Sequence, residues 1–133
     1  MKNPFYKILL LYLLTIYCYS CKEDFYKEEV KKYLDEIGVN LENKLDTVYI
    51  IPTEGCHTCI DNALDRISKQ NNSFRIIVIF IGPKIPTVAY NASFPKNMSI
   101  YLDSTYLKNK FQTNIFESTR VVIKNGKLSV EKI

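Results

Sequence analysis

Thr47-Val48-Tyr49-Ile50-Ile51-Pro52-Thr53-Glu54-Gly55-Cys56-His57-Thr58-Cys59 is the stretch whose reading decides the fold. Its first five residues are β-branched or aromatic, and Pro52 closes the run, which predicts a strand over 47–52. Beyond Cys59, the residues Ile60, Ala63, Leu64 and Ile67 recur at i, i+3, i+4 and i+7, the stripe of an amphipathic helix. Asp61 and Asp65 fall on its outer side, with Asp61 favourably placed in the first turn. Residues 70–73, Gln-Asn-Asn-Ser, break the pattern. Residues 74–81 are nearly all apolar, as in a strand buried on both faces. Strand, helix, strand over 47–81 predicts a βαβ unit with a parallel pair, and so an α/β fold.

Downstream, residues 82–97 hold Pro83, Pro86 and Pro95 without a period and read as an irregular crossover. Residues 98–102 predict a short strand ending at Asp103. Residues 104–111 predict a short helix with Tyr106, Leu107 and Phe111 apolar. Asn125-Gly126 between two strand-like runs, 120–124 and 127–131, predicts a hairpin, because a type I′ turn needs positive φ at both central residues. Upstream, residues 25–37 predict a helix with Phe25, Val30, Tyr33, Leu34 and Ile37 on one face, stopped by Gly38. Residues 39–46 form a polar connection.

At the N-terminus, Lys2 and Lys7 precede an apolar run, residues 8–17, the layout of a secretory signal. Spanning a bilayer takes roughly 20 apolar residues, more than this run holds, and a retained membrane helix is the competing reading of the segment. The run stops at Cys18-Tyr19-Ser20-Cys21 and resembles a bacterial lipoprotein signal, in which a Cys after a small residue is acylated and becomes the mature N-terminus. Ser20 is small and Tyr17 is not, so the resemblance places the lipid on Cys21. Lys22-Glu23-Asp24 is similar to the export tag of some Gram-negative surface lipoproteins. The expected organisation is a signal peptide at 1–20, a tether and amphipathic helix at 21–46, and one domain at 47–133. A cleaved signal segment thus precedes the fold.

One domain is all that 133 residues allow. Eighteen Lys and Arg against fourteen Asp and Glu give +4, and two of those bases, Lys2 and Lys7, lie in the signal. Little excess charge is left for nucleic acid. There is no Gly-rich phosphate loop, and a single His argues against multi-histidine metal catalysis.

Four cysteines reduce to two thiols once Cys18 leaves with the signal and Cys21 carries lipid. Cys56 and Cys59 are three apart and close almost no loop, so as a staple they add little stability. Their place between a strand end and a helix start carries the chemistry. Unpaired N–H groups and the helix macrodipole stabilise a thiolate at Cys56, the expected nucleophile. Cys59, one turn on and beside Ile60 and Ala63, is expected to turn toward the core as a protected resolving thiol. A cationic His57 would favour thiolate and a more oxidising disulfide. A zinc site needs four ligands, and no second Cys pair exists, so no metal and no cofactor are expected. An inert structural disulfide stays open as a reading of the pair.

These residues resemble the thioredoxin-like fold, and more closely the envelope-anchored thiol–disulfide oxidoreductases of the TlpA/ResA type. The strand at 47–52 with Gly55-Cys56-His57-Thr58-Cys59 matches the family's active-site strand and Cys-x-x-Cys helix. Ile100-Tyr101-Leu102-Asp103 and the helix after it match the segment before the last hairpin. Thr119 to Lys127 match the family's threonine, apolar strand and Asn-Gly turn. Ser118 stands where the family has a cis-proline, Glu54-Gly55 where it has an aromatic residue, and no helix follows the hairpin before Ile133. The resemblance implies a three-layer α/β/α sandwich with a central mixed sheet. It implies thiol–disulfide exchange through Cys56 and Cys59, with Gly55, His57, Thr58, Ser118 and Thr119 on the substrate face. The implied partners are thiol- or disulfide-bearing envelope proteins and the membrane, reached through the lipid, and not nucleic acid. The implied place is the bacterial cell envelope, at the periplasmic face or the outer-membrane surface. The competing reading is a non-catalytic accessory or binding lipoprotein with a static disulfide on the same scaffold.

Overall fold

Parallel strands that are apolar at every position must be covered on both faces, and this requirement organises the molecule. The computed structural model describes residues 4–40, 46–54, 57–70, 74–91, 94–111, 113 and 117–133. In chain order the elements are α1 (Pro4–Ile37), β1 (Asp46–Pro52), α2 (His57–Ser68), β2 (Arg75–Ile81) and α3 (Thr87–Asn91). Then come β3 (Met98–Asp103), a 3-10 turn (Leu107–Asn109), β4 (Thr119–Lys124) and β5 (Lys127–Lys132). The five strands form one mixed sheet in the order β3-β2-β1-β4-β5. β1, β2 and β3 run parallel, with Tyr49 opposite Val78 and Val78 opposite Ile100. β4 runs antiparallel to β1, and β5 to β4.

Alternation sorts the apolar runs onto two faces. Val48, Ile50, Ile77, Ile79 and Ile81 point to one side and pack with Val30, Tyr33 and Leu34 of α1. Tyr49, Ile51, Ile76, Val78 and Phe80 point to the other and pack with Ile60, Ala63, Leu64 and Ile67 of α2 and Ala89 of α3. Helices therefore cover both faces of the sheet. Asp46 and Arg75 are opposed at the start of β1 and β2. Arg75 grips the buried carboxylate with Nε at 3.2 Å and Nη2 at 2.9 Å, which pins the parallel register at that end.

Several local expectations need correction. The helix expected at 25–37 begins at Pro4 and runs unbroken for 34 residues. No Gly or Pro interrupts 5–37, and the Leu-rich run favours helix. Phe25, expected on the buried face, is 52% exposed, and Tyr26 packs in its place, on the line of Val30, Tyr33 and Ile37. Gly38 does end the helix, with φ +85. Its N–H donates to the Asp35 carbonyl and that of Val39 to the Leu34 carbonyl, both at 3.0 Å, a Schellman stop. Residues 82–97 are not wholly irregular, since α3 forms just after Pro86. The helix expected at 104–111 shrinks to the 3-10 turn, because Tyr106 takes φ +55 and the buried Asp103 carboxylate captures the Leu107 N–H at 2.9 Å. The first turn of α2 holds no acid, so Asp61 falls just past it. The hairpin is as expected, with φ +52 at Asn125 and +73 at Gly126.

Tyr33 ties α1 to the far end of β3 through its hydroxyl, which donates to Asp103 Oδ2 at 3.3 Å. Burial, and then the Asp103 charge, push the Tyr33 pKa well above its ordinary value of 10.0. An acid whose folded pKa is raised lends stability that is whole below its unfolded pKa and fades as pH climbs past it. The native chain is therefore expected to lose stability above about pH 10 more steeply than a Tyr33→Phe variant. Urea midpoints measured across that range check this, and parallel curves contradict it.

Candidate functional site

The carboxyl ends of β1 and β2 are held together by backbone. The Thr53 N–H donates to the Ile81 carbonyl at 2.8 Å, and its hydroxyl donates to the same oxygen at 3.1 Å. Gly82 follows with φ +153, its N–H donating to the Asp103 carbonyl at 3.1 Å. A Cβ on Gly82 would lie 1.8 Å from Thr53 Oγ1. Only glycine lets the two strand ends close this tightly.

Past this junction the chain enters α2. His57 is its first residue, and His57, Thr58 and Cys59 are all exposed. Cys59 is disulfide-bonded. Its exposure corrects the expectation of a core-facing thiol. The buried stripe of α2 is centred on Ile60 and Ile67, and Cys59 is about a quarter turn off it on a helix of 3.6 residues per turn. Gly55 and Cys56 lie outside the described residues.

A groove of about 360 Å³ opens beside the start of α2. Thr53, Glu54, His57, Ile60 and Asp61 line one wall, and the segment from Pro83 to Val88 lines the other. Ile60 and Pro86 are apolar parts of the lining, and Glu54, Asp61 and Lys84 bring charged side chains to it. The Tyr106 hydroxyl donates to Glu54 Oε1 and so fixes one edge of the opening. That hydrogen bond is the main reason the Tyr106 pKa is raised, with desolvation and the Glu54 charge adding to it.

Of the residues expected on the substrate face, His57 lines the groove, and Thr58 and Cys59 are exposed on the same helical turn. Ser118 and Thr119 come to the same end of the sheet from β4, where Thr119 pairs with Ile50. Both are buried, and neither lines the groove. The Thr119 hydroxyl donates to the Glu117 carbonyl at 2.9 Å, and the Ser118 carbonyl accepts from the Ile133 N–H at 3.0 Å. Among the described residues, no three His, Cys, Asp or Glu side chains gather as a metal site. Sequence reasoning missed Glu54, Asp61 and Lys84 as walls of one opening, and missed the Tyr106 contact. The only signal for the opening was Gly82-Pro83 directly after an apolar strand, a turn where the backbone needs room.

Cys21 falls within α1. Phe5, Tyr6, residues 8–14 and Ile16 of that helix are exposed, each by more than half. Among the described residues, no helix is long and apolar enough to cross a membrane. No protein-family model matches the chain, and no curated protein matches it.

Proposed function

We propose that this is a lipid-anchored envelope protein of thioredoxin-like fold that exchanges thiols and disulfides through Cys56 and Cys59. The observation that carries the reading is a disulfide-bonded cysteine on the solvent side of the first turn of a helix, directly after a central parallel strand. A disulfide buried for stability needs no such exposure. Cys56 is the partner on this reading. In the reduced pair, the Cys56 thiolate attacks one sulfur of a substrate disulfide. A Cys56–substrate bond forms as the substrate S–S bond breaks, and the departing thiolate takes up a proton. Cys59 then gives up its proton and attacks Cys56. The mixed disulfide breaks, the second substrate thiol leaves, and the pair is left oxidised, having passed two electrons to the substrate. The same steps in reverse oxidise a substrate dithiol.

The test is the reduction potential of the pair. Exchange-competent pairs are poised at roughly −120 to −270 mV, and structural disulfides below about −300 mV. A value in the first range is the expected result. A value in the second transfers the protein to the accessory reading, with a static disulfide.

The exposed apolar turns of α1 and the Ser20-Cys21 junction support the anchor and a signal segment cleaved ahead of Cys21. Membrane-bound chain from cells fed a labelled fatty acid is expected to carry the label. Cys21→Ala is expected to abolish it and Cys18→Ala to leave it. Label lost only with Cys18 contradicts the assignment.

A further inference from the structure

The two edges of the sheet are treated differently. β5 is an edge strand that carries Lys127, Glu131 and Lys132, and charges of this kind discourage strand addition. β3 is the other edge, and Met98-Ser99-Ile100-Tyr101-Leu102 carries no charge, proline or glycine. Ile100 and Leu102 are each 41% exposed.

The backbone sets which groups face outward. The Asn97 carbonyl accepts from the Ile76 N–H of β2 at 3.3 Å, and the Asp103 carbonyl accepts from the Gly82 N–H at 3.1 Å. Odd-numbered residues of β3 therefore turn their backbone groups toward β2, and even-numbered ones turn theirs away from the sheet. The Met98 N–H is taken locally by the Pro95 carbonyl at 3.2 Å. What β3 offers outward is the Met98 carbonyl and both backbone groups of Ile100 and Leu102. Among the described residues no group takes these, so the residues with outward backbone are the ones with exposed apolar side chains.

From this edge we infer that β3 pairs antiparallel with β3 of a second copy of this chain, on a two-fold axis through Ile100. That register is self-complementary. At the axis each Ile100 N–H donates to the other Ile100 carbonyl. At either end the Leu102 N–H of one copy donates to the Met98 carbonyl of its partner. Side chains of Met98, Ile100 and Leu102 share one face, since Met98 packs with the α2 side of the core. The axis lays Ile100 against Ile100 and Leu102 against Met98. No like charges meet, because Lys96 falls opposite Ser104 and Asp103 opposite Asn97. A heterologous strand would have no such built-in register, and this favours the second copy. The two five-stranded sheets become one continuous sheet.

The experiment is the mass of the full chain in non-ionic detergent, by sedimentation equilibrium at about 100 μM, a level suited to a contact smaller than a standard interface. The expected protein mass is twice 15.5 kDa. Ile100→Lys, which sets two ammonium groups on the axis, is expected to return it to 15.5 kDa with an unchanged far-ultraviolet circular dichroism spectrum. Leu102→Lys provides a second variant should the first fail to fold. Leu128→Lys on β5 is expected to leave the dimer intact. A native chain that stays monomeric overturns the proposal and leaves β3 to an extended segment of another protein. A dimer that survives both β3 variants also overturns it and moves the contact elsewhere, to the exposed turns of α1 first.

Discussion

A Cys59→Ser chain is expected to accumulate as mixed disulfides through Cys56, while Cys56→Ser captures nothing. Release of a mixed disulfide is intramolecular in the native chain, because the second thiol follows the first by only three residues. Losing it leaves release to external thiol. Intramolecular placement is worth effective concentrations of 10⁵ M or more in well-oriented reactions. Even a small share of that lengthens the life of the trapped species by roughly 10³-fold. Cells expressing the tagged variant, quenched in acid and resolved without reductant, are expected to show adducts that collapse on reduction. Exposure of Cys59 makes the reciprocal experiment decisive for the roles. A sulfur open to solvent is open to an incoming thiolate, which a core-facing one is not. Adducts formed by Cys56→Ser and not by Cys59→Ser would reverse nucleophile and resolving thiol. Adducts from neither would remove the exchange reading and leave the static disulfide.

The sheet was legible because its causes are local or periodic. β1 and β2 declare themselves by β-branched runs, α2 by its apolar stripe, and the last hairpin by Asn125-Gly126. Their pairing follows from chain order, since a strand–helix–strand unit makes a parallel pair and a two-residue turn an antiparallel one. The structure departs from these expectations where a side-chain contact overrules helix propensity. Residues 104–111 have helical character, but the Asp103 carboxylate binds their first free N–H groups and holds a single 3-10 turn. The quarter turn that exposes Cys59 follows from the helix period, which sets adjacent Ile60 on a different face. Phe25 lost to Tyr26 for the same reason: one residue on a helix is a 100° rotation. The groove was hidden because its walls are about 30 residues apart in sequence and meet only where β1 and β2 end side by side. The thiol motif was visible as spacing, but its accessibility belongs to the packed structure.

Gly82→Ala is expected to be among the most damaging single substitutions in the chain, although it adds one methyl group. Two separate costs arise. The added Cβ would lie 1.8 Å from Thr53 Oγ1, far inside contact distance, so one strand end must move. Overpacking of this kind costs about 1–3 kcal/mol. The φ of +153 adds backbone strain of about 1–3 kcal/mol for a residue with a Cβ. A loss near 4 kcal/mol lowers the Tm of a domain this size by roughly 15–25 °C. Thr53→Ala separates the two costs. Alone it removes the hydroxyl bond to the Ile81 carbonyl, worth about 1 kcal/mol. Combined with Gly82→Ala it removes the atom that clashes and leaves the strain, so the double variant is expected to be more stable than Gly82→Ala alone. A coupling of about 1–3 kcal/mol is the expected size, measured by urea unfolding of all four chains. Strict additivity would mean that Thr53 does not oppose Gly82 at the strand junction. The groove is built on that junction, so where Gly82→Ala still folds, the Thr53 wall is displaced relative to the Pro83 wall. Exchange should then fall more than stability predicts, and recover in part with Thr53→Ala.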